Sequence, residues 1–320
     1  MLTTKTFQPE STAKKSVIER LAKETVLDGD CPMTSCIPAC VFVKRLVSAG
    51  TLHLVLALLS ITFALPFLWM VLTSLKTISE VDSEQWLPRT FQWQNYAAVF
   101  DARSIDTAGV QFKRWYWNSI YVAAWTTLLQ VLTSAMAAFS FARLKWPGRE
   151  KVFLLYLSTM MLPGLVMMIP NYQIMIRLGW VDTFTGLIVP AAFSAFGTFL
   201  LRQFMLSIPA SLDEAAEIDG ASKWRLFWDI ILPLSRPGLI TLTIFTFMGS
   251  YMSFFWPLVM LKSGDKYTLP IGLLYFESTR GATTHLLMAA ITMSVVPLII
   301  LFVVLQNYLV KGIQLGAVKG

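Results

Sequence analysis

The chain has 320 residues, of which 55% are hydrophobic and only 14% charged, with a mean hydropathy of +0.60 and a formal charge of +7. Soluble domains carry about 25% charged residues, so this balance excludes an ordinary water-soluble globule and points to the membrane. The basic excess does not point to nucleic acid, because no stretch interleaves cations with aromatics as a nucleic-acid face would.

Residues 1–45 read as a polar cytoplasmic N-terminal extension. Within it Ile18, Leu21, Ala22 and Thr25 recur at helical spacing among Lys14, Lys15, Arg20 and Lys23. That pattern suits a short amphipathic helix on an anionic leaflet, and equally a solvated tail. No apolar core precedes Ala39, so a cleavable signal peptide is not expected. Cys31, Cys36 and Cys40 form no CxxC pair and have no neighbouring His, which predicts free thiols and no metal site.

Beyond the extension the charges cluster, leaving six long runs, 46–75, 115–142, 152–176, 183–201, 237–261 and 285–310, without Asp, Glu, Lys or Arg. A spanning helix needs about 20 mostly apolar residues and closes its own backbone hydrogen bonds, which lipid cannot do. The runs predict an all-α membrane protein with six transmembrane helices at about 49–75, 116–142, 152–175, 183–203, 237–261 and 286–310. Six crossings put both termini on one side. That side holds seventeen of the 26 Lys and Arg residues, including Arg143, Lys145, Arg149 and Lys151 in one tight loop. By the positive-inside rule, both termini and that loop are cytoplasmic in a multi-pass protein of the cell (inner) membrane, lipid being its surroundings.

Within the six runs there is no carboxylate and no Lys or Arg; His53 and His285 lie near helix ends. Ion-coupled carriers keep ionisable groups inside the bilayer, at a cost of at least about 2.5 kcal/mol each, so coupling to protons or sodium finds no support. No GxxxxGK[ST] phosphate loop, HExxH or Ser-His-Asp set occurs either. No catalytic residue, no metal ligand and no cofactor are therefore assigned to this chain. If it moves solute uphill, the energy comes from a partner.

The loop 204–236 carries the most structured signal. Ser211, followed three residues on by Glu214, has the spacing of a capping box, and Asp213 and Glu214 lie where a helix dipole favours anions. Ala215 and Ala216 give this short helix a shallow surface, and Gly220 stops it. A second short helix, 222–231, brings Trp224, Phe227, Trp228 and Ile231 before Pro233 ends it. Two short helices meeting at a glycine and tied to a membrane helix make a rigid lever for a soluble partner, or an ordinary structured loop.

The spacing here is EAA-x3-G-x9-I-x-LP, as Glu214-Ala215-Ala216, Gly220, Ile230 and Leu232-Pro233. This resembles the signature loop of ABC importer permeases, in the place between helices four and five where that family carries it. SLK at 74–76, WNS at 117–119, RLGWVDTFTGLIVP at 177–190, FWPLV at 255–259 and GIQLGAVKG at 312–320 are similar to the carbohydrate-type branch, the likeness extending over nearly all of 46–320. The resemblance implies a six-helix permease bundle whose coupling helix, with Glu214, Ala215, Ala216 and Gly220, docks on an ATP-hydrolysing subunit. It implies a second permease subunit, two ATP-binding subunits holding ATP and Mg, and an extracytoplasmic solute-binding protein. The implied cargo is a sugar, oligosaccharide, polyol or glycerol phosphate; a permease for a non-sugar solute and a stand-alone channel are the alternatives. Tyr121, Tyr251, Phe254 and Trp256 are candidate stacking residues on the translocation path. In helix five, where relatives often read W-N-[DEQ]-[FY]-L-W-P, this chain reads Tyr251-Met252-Ser253-Phe254-Phe255-Trp256-Pro257, without the Asn and its polar neighbour.

Overall fold

The computed structural model describes residues 37–81, 85–101, 111–280 and 284–317. The amphipathic segment expected at 18–25, Cys31, Cys36 and the Cys40 side chain lie outside the described residues. All regular structure among the described residues is helical. The described residues fall into two compact units, divided between Leu65 and Pro66.

Helix α1 runs from Ile37 to Ser74, beginning inside the stretch read as an extension. In the first unit its hydroxyls are hidden: Ser60 Oγ and Thr62 Oγ1 donate to the carbonyls of Leu56 and Leu58 at 2.7 and 2.9 Å. Back-bonding of this kind lets a polar residue sit on a lipid-facing helix. Every residue from Thr51 to Trp69 is exposed, as an apolar face bound for lipid or another subunit would be.

The second unit continues with two short helices, α2 (Ile78–Val81) and α3 (Gln94–Asp101), and then α4 (Phe112–Arg143), 32 residues without a break. By helical rise α4 is about 48 Å long. It is the central post: the helices at Ala195–Leu206 and Arg236–Tyr251 pack along it. Ala135 and Ala138 on α4 are 1% and 0% exposed. Side chains this small let backbones approach closely where no hydrophobic force acts between helices.

The next three spans were expected as continuous helices at 152–175, 183–203 and 237–261, and each is broken. The third comprises α5 (Arg149–Ser158), a 3-10 turn (Thr159–Met161) and α6 (Gly164–Leu178), with a bend of 99° between the halves. Pro163 is the cause: it brings no N–H and drives Leu162 into extended backbone, ψ 122°. The fourth comprises α7 (Thr185–Ala191) and α8 (Ala195–Leu206), bent by 41°. There Ser194 caps α8, accepting from the Gly197 amide at 3.0 Å, and Thr133 of α4 donates to the freed Ala192 carbonyl at 2.5 Å.

The fifth span divides into α12 (Arg236–Tyr251) and α13 (Phe255–Met260), separated at Met252–Phe254. Irregular backbone at such depth is stable only where protein buries it or a cavity receives it. Helix α14 (Leu269–Arg280) and the last span, α15 (Thr284–Ala317), complete the unit. Among the described residues three helices are long and apolar enough to cross a membrane, or up to six if each of three bent pairs is one span, the third pair being Lys223–Leu234 with Arg236–Tyr251, bent by 76°.

Candidate functional site

The loop between α8 and α12 folds into an elbow. Helix α9 spans Ser211–Ile218 and ends at Gly220, whose φ is +75°. The Ala221 amide reaches the Ala216 carbonyl at 2.9 Å and the Gly220 amide the Glu217 carbonyl at 3.1 Å, a Schellman closure. Ser222 then caps α10 (Lys223–Arg225), its hydroxyl accepting from the Arg225 amide. A π-helical turn, Leu226–Ile231, leads into α11 (Leu232–Leu234). Pro233 offers no N–H to the carbonyl four residues back and crowds it, which accounts for the widened turn.

Arg143, the last residue of α4, locks the elbow to the spans. Its guanidinium donates to the Asp213 carboxylate of α9 at 3.1 Å and to the carbonyls of Met205, in the last turn of α8, and Ile208, just beyond it, at 2.5 and 2.8 Å. Only 6% of the Arg143 side chain is exposed. Arg202 of α8 makes a second clamp, holding both Glu150 carboxylate oxygens at 2.9 and 3.0 Å and covering the Phe153 ring. Apolar packing finishes the joint, with Ala216, Leu226, Phe227 and Ile231 buried against Ala138, Phe139 and Leu201. Away from Ala216 the helix is bare, with Glu214, Ala215 and Glu217 exposed and Ile218 86% exposed.

A cavity of about 470 Å³ lies among the broken spans. Ser119, Val122, Thr126 and Gln130 supply one face of α4; Ala191 and Phe196 flank the fourth-span break; Gly249, Ser250, Ser253 and Trp256 flank the fifth. The Trp256 indole N–H donates to the Gly186 carbonyl at 3.1 Å, which fixes its ring. No Asp, Glu, Lys, Arg or His is among the described lining residues.

At the end of the bundle away from the elbow, Asp182 (φ +59°) holds the segment after α13. Its carboxylate accepts from the Lys262 and Ser263 amides at 2.9 and 3.1 Å, the Ser263 hydroxyl at 2.5 Å and Lys266 at 3.0 Å. Burial alone would raise this carboxyl, but the Ser263 hydroxyl, the two amides and Lys266 together hold it well below its usual range. From the other side Asn118 donates to the Asp265 and Tyr267 carbonyls, and Trp115 to Gly264.

With these features in place, comparison with known proteins is decisive: the profile of the binding-protein-dependent transport system inner membrane components matches residues 130–315. The chain belongs to that family. This permease is 36% identical to the arabinooligosaccharides transport system permease protein of Halalkalibacterium halodurans, over 73% of this chain and 81% of the relative. It is 33% identical to the sn-glycerol-3-phosphate transport system permease protein of Brucella abortus, over 84% of this chain and 97% of the relative. A bacterial ABC transporter involved in the import of the acidic polysaccharide alginate has a chain of the same fold, with a TM-score of 0.71 at 23% identity, covering 83% of this permease and 97% of that chain.

Within the permease the expected site residues separate. Glu214 and Ala215 are exposed on α9, and Gly220 makes the turn. Ala216, expected to dock, is instead 6% exposed and seats α9 on the bundle. Ile230, Leu232 and Pro233 are half-buried; Ile230 and Leu232 pack against the same core. Ser211 does not cap. The helix starts one residue earlier, with the Ala210 carbonyl already accepting from Asp213 and Glu214, so Ser211 stands inside the first turn where its hydroxyl cannot reach back.

Of the four path candidates only Trp256 lines the cavity. Tyr251 is 3% exposed, stacked on Phe247 and bonded to the Ser294 carbonyl of α15 at 2.9 Å. Phe254 faces a shallower hollow beside Asn171 and Phe255, and Tyr121 lies exposed against Phe184 and Trp125. The pairings that the sequence does not reveal are those of Arg143 with Asp213, which had only a helix-dipole role, and of Asp182 with the 262–266 segment. Arg143 had counted only as a topology charge, and Asp182 stood inside a quoted motif without a role.

Proposed function

We propose that this permease is one half of the membrane channel of an ATP-driven importer that brings a carbohydrate into the cytoplasm. The observation that carries the reading is the elbow: Glu214, Ala215 and Ile218 lie bare on a helix clamped through Arg143 to the second and fourth spans. A helix so braced passes on any push it receives, and its bare face suits a soluble motor. By the likeness to relatives the motor is a pair of ATP-binding subunits holding ATP and Mg. A second permease completes the channel, and a solute-binding protein delivers cargo at the Asp182 end. The elbow end and both termini are then cytoplasmic, as the excess of Lys and Arg there requires.

Transport on this reading is a shift between two packings of the spans, each ligand favouring one. The relatives named for arabinooligosaccharides and glycerol phosphate support a carbohydrate as cargo. The test is reconstitution of the permease with its partners in liposomes, screening carbohydrates for ATP-dependent uptake. Uptake is expected only with all partners present, and an Ile218→Cys variant should crosslink to the ATPase. Downhill flux through the permease alone would instead establish a free-standing channel.

A further inference from the structure

The turn from α4 into α5 carries four cations in nine residues, Arg143, Lys145, Arg149 and Lys151. Two of them are already engaged. Arg143 bonds Asp213, and Arg149 bonds Glu150 and, at 3.0 Å, the Leu144 carbonyl. Glu150 is at the same time held by Arg202. Glu217 of the elbow lies in the field of Lys145, but its bond goes to Lys223. Lys145 and Lys151 are both exposed, and neither forms an ion pair or a side-chain hydrogen bond among the described residues.

The turn directs both amines to one place. Gly148, at φ +83°, reverses the chain, and its carbonyl accepts from the Val152 amide at 3.0 Å as α5 begins. Residues 145–151 together wall an open hollow of about 630 Å³, with Lys145 at one end of the wall and Lys151 at the other. Trp146, its ring packed on Phe141 at 5.8 Å, is an aromatic of the kind that settles at headgroup level. Lys151 shares a face of α5 with Leu154 and Leu155, three and four residues on, which are 64% and 71% exposed. A hollow rimmed by unpaired amines thus opens onto an uncovered apolar stripe that runs into the third span. An acidic soluble partner would match the amines and not the stripe; an uncharged lipid would match the stripe and not the amines. A phospholipid with net negative charge matches both, its phosphate with the lysines and an acyl chain with the leucines.

Resting on the importer reading only for the placement of this loop at the cytoplasmic leaflet, we propose that the α4–α5 turn is a binding site for one anionic phospholipid of that leaflet. Lys145 and Lys151 hold its phosphate, and Leu154 and Leu155 receive a chain. The bound lipid stands at the joint where Arg143 and Arg202 brace the elbow.

The experiment takes the complete transporter, reconstituted in phosphatidylcholine liposomes with a trace of dioleoylphosphatidylglycerol that bears a photoreactive diazirine on one chain. Illumination and peptide mapping should place label on the 145–158 peptide, and a phosphatidylcholine probe with the same chain should label it at least about tenfold less. Lys145→Gln combined with Lys151→Gln should cut the phosphatidylglycerol label at least about tenfold, the paired Lys→Arg variant should keep it within about twofold, and Lys113→Gln at the far end of α4 should leave it unchanged. Should the paired glutamine variant fail to assemble, each single one is read instead, with an expected loss of about fivefold. Excess inorganic phosphate should change the label by less than about twofold, because a free anion has no chain to bury. No label on this peptide in the complete transporter would assign the loop to a partner subunit. That result, equal label from phosphatidylcholine, full label in the glutamine variants, or displacement by phosphate would each overturn the proposal. Reaction of Lys145→Cys with an impermeant maleimide from outside the cell, in a permease whose three cysteines are serine, would instead overturn the importer reading.

Discussion

The guanidinium of Arg143 and the carboxylate of Asp213 meet at 3.1 Å, joining the end of the second span to the first turn of the elbow helix. Both are largely shielded, with 6% and 17% of their side chains exposed. Breaking a shielded pair from one side costs more than the pair's net worth, because the survivor keeps its desolvation penalty. Arg143→Ala should therefore destabilise the permease by about 3 kcal/mol, since it also frees the Met205 and Ile208 carbonyls. Asp213→Asn retains an acceptor for Arg143 and should cost about 1 kcal/mol. Thermal unfolding of the purified complex should rank the two in that order, and uptake per ATP hydrolysed should fall further for Arg143→Ala.

Gly220 is held at φ +75°, and a Cβ built there would meet nothing within 4 Å. Backbone conformation, with space to spare, is what demands glycine here. Gly220→Asn, which tolerates left-handed backbone, should keep nearly full transport. Gly220→Val should cost about 1–2 kcal/mol locally and weaken attachment of the ATPase, read by copurification of the subunits. Equal behaviour of the two variants would contradict the assignment.

Gly272 has the opposite reason. A Cβ there would overlap the Trp115 indole, whose N–H bonds the Gly264 carbonyl at 2.7 Å. Gly272→Ala should cost about 1–3 kcal/mol by overpacking and loosen the 262–268 segment. Limited proteolysis of that segment together with a melting curve checks both.

Asp182 titrates from a lowered folded-state value, against an ordinary 3.8. Its contribution is then whole above about pH 4 and is lost only as pH falls toward the folded value. Protection of the Lys262 and Ser263 amides, corrected for intrinsic exchange, should be flat between about pH 5 and 8. Asp182→Asn should lower that protection at every pH in the range, because the Lys266 ion pair goes with the charge.

The six spans were readable from charge-free runs, because lipid punishes a buried charge wherever the helix points. Their breaks were not, because hydropathy counts residues and ignores direction: Leu162–Pro163 and Met252–Phe254 are as apolar as their neighbours. Gly220 was found because a single residue type suits left-handed backbone. The Ser211 cap failed by one position, since which residue opens a helix depends on how the Pro209–Ala210 turn enters it. Tyr251 and Trp256 looked alike in sequence, but the break between them turns one into the core against α15 and the other into the cavity. Arg143 and Asp213 are 70 residues apart, a pairing that spacing alone does not reveal.

The broken fourth and fifth spans have a last consequence. The carboxyl ends of α7 and α12 and the amino ends of α8 and α13 all terminate around the same hollow, so partial charges of peptide groups face that space although no formal charge in its described lining does. Polarity of that kind neither ionises across the physiological range nor gathers counterions. Recognition inside the membrane should accordingly be indifferent to acidity and to salt, leaving any sensitivity of transport to these conditions to the proteins that meet this chain at its two surfaces.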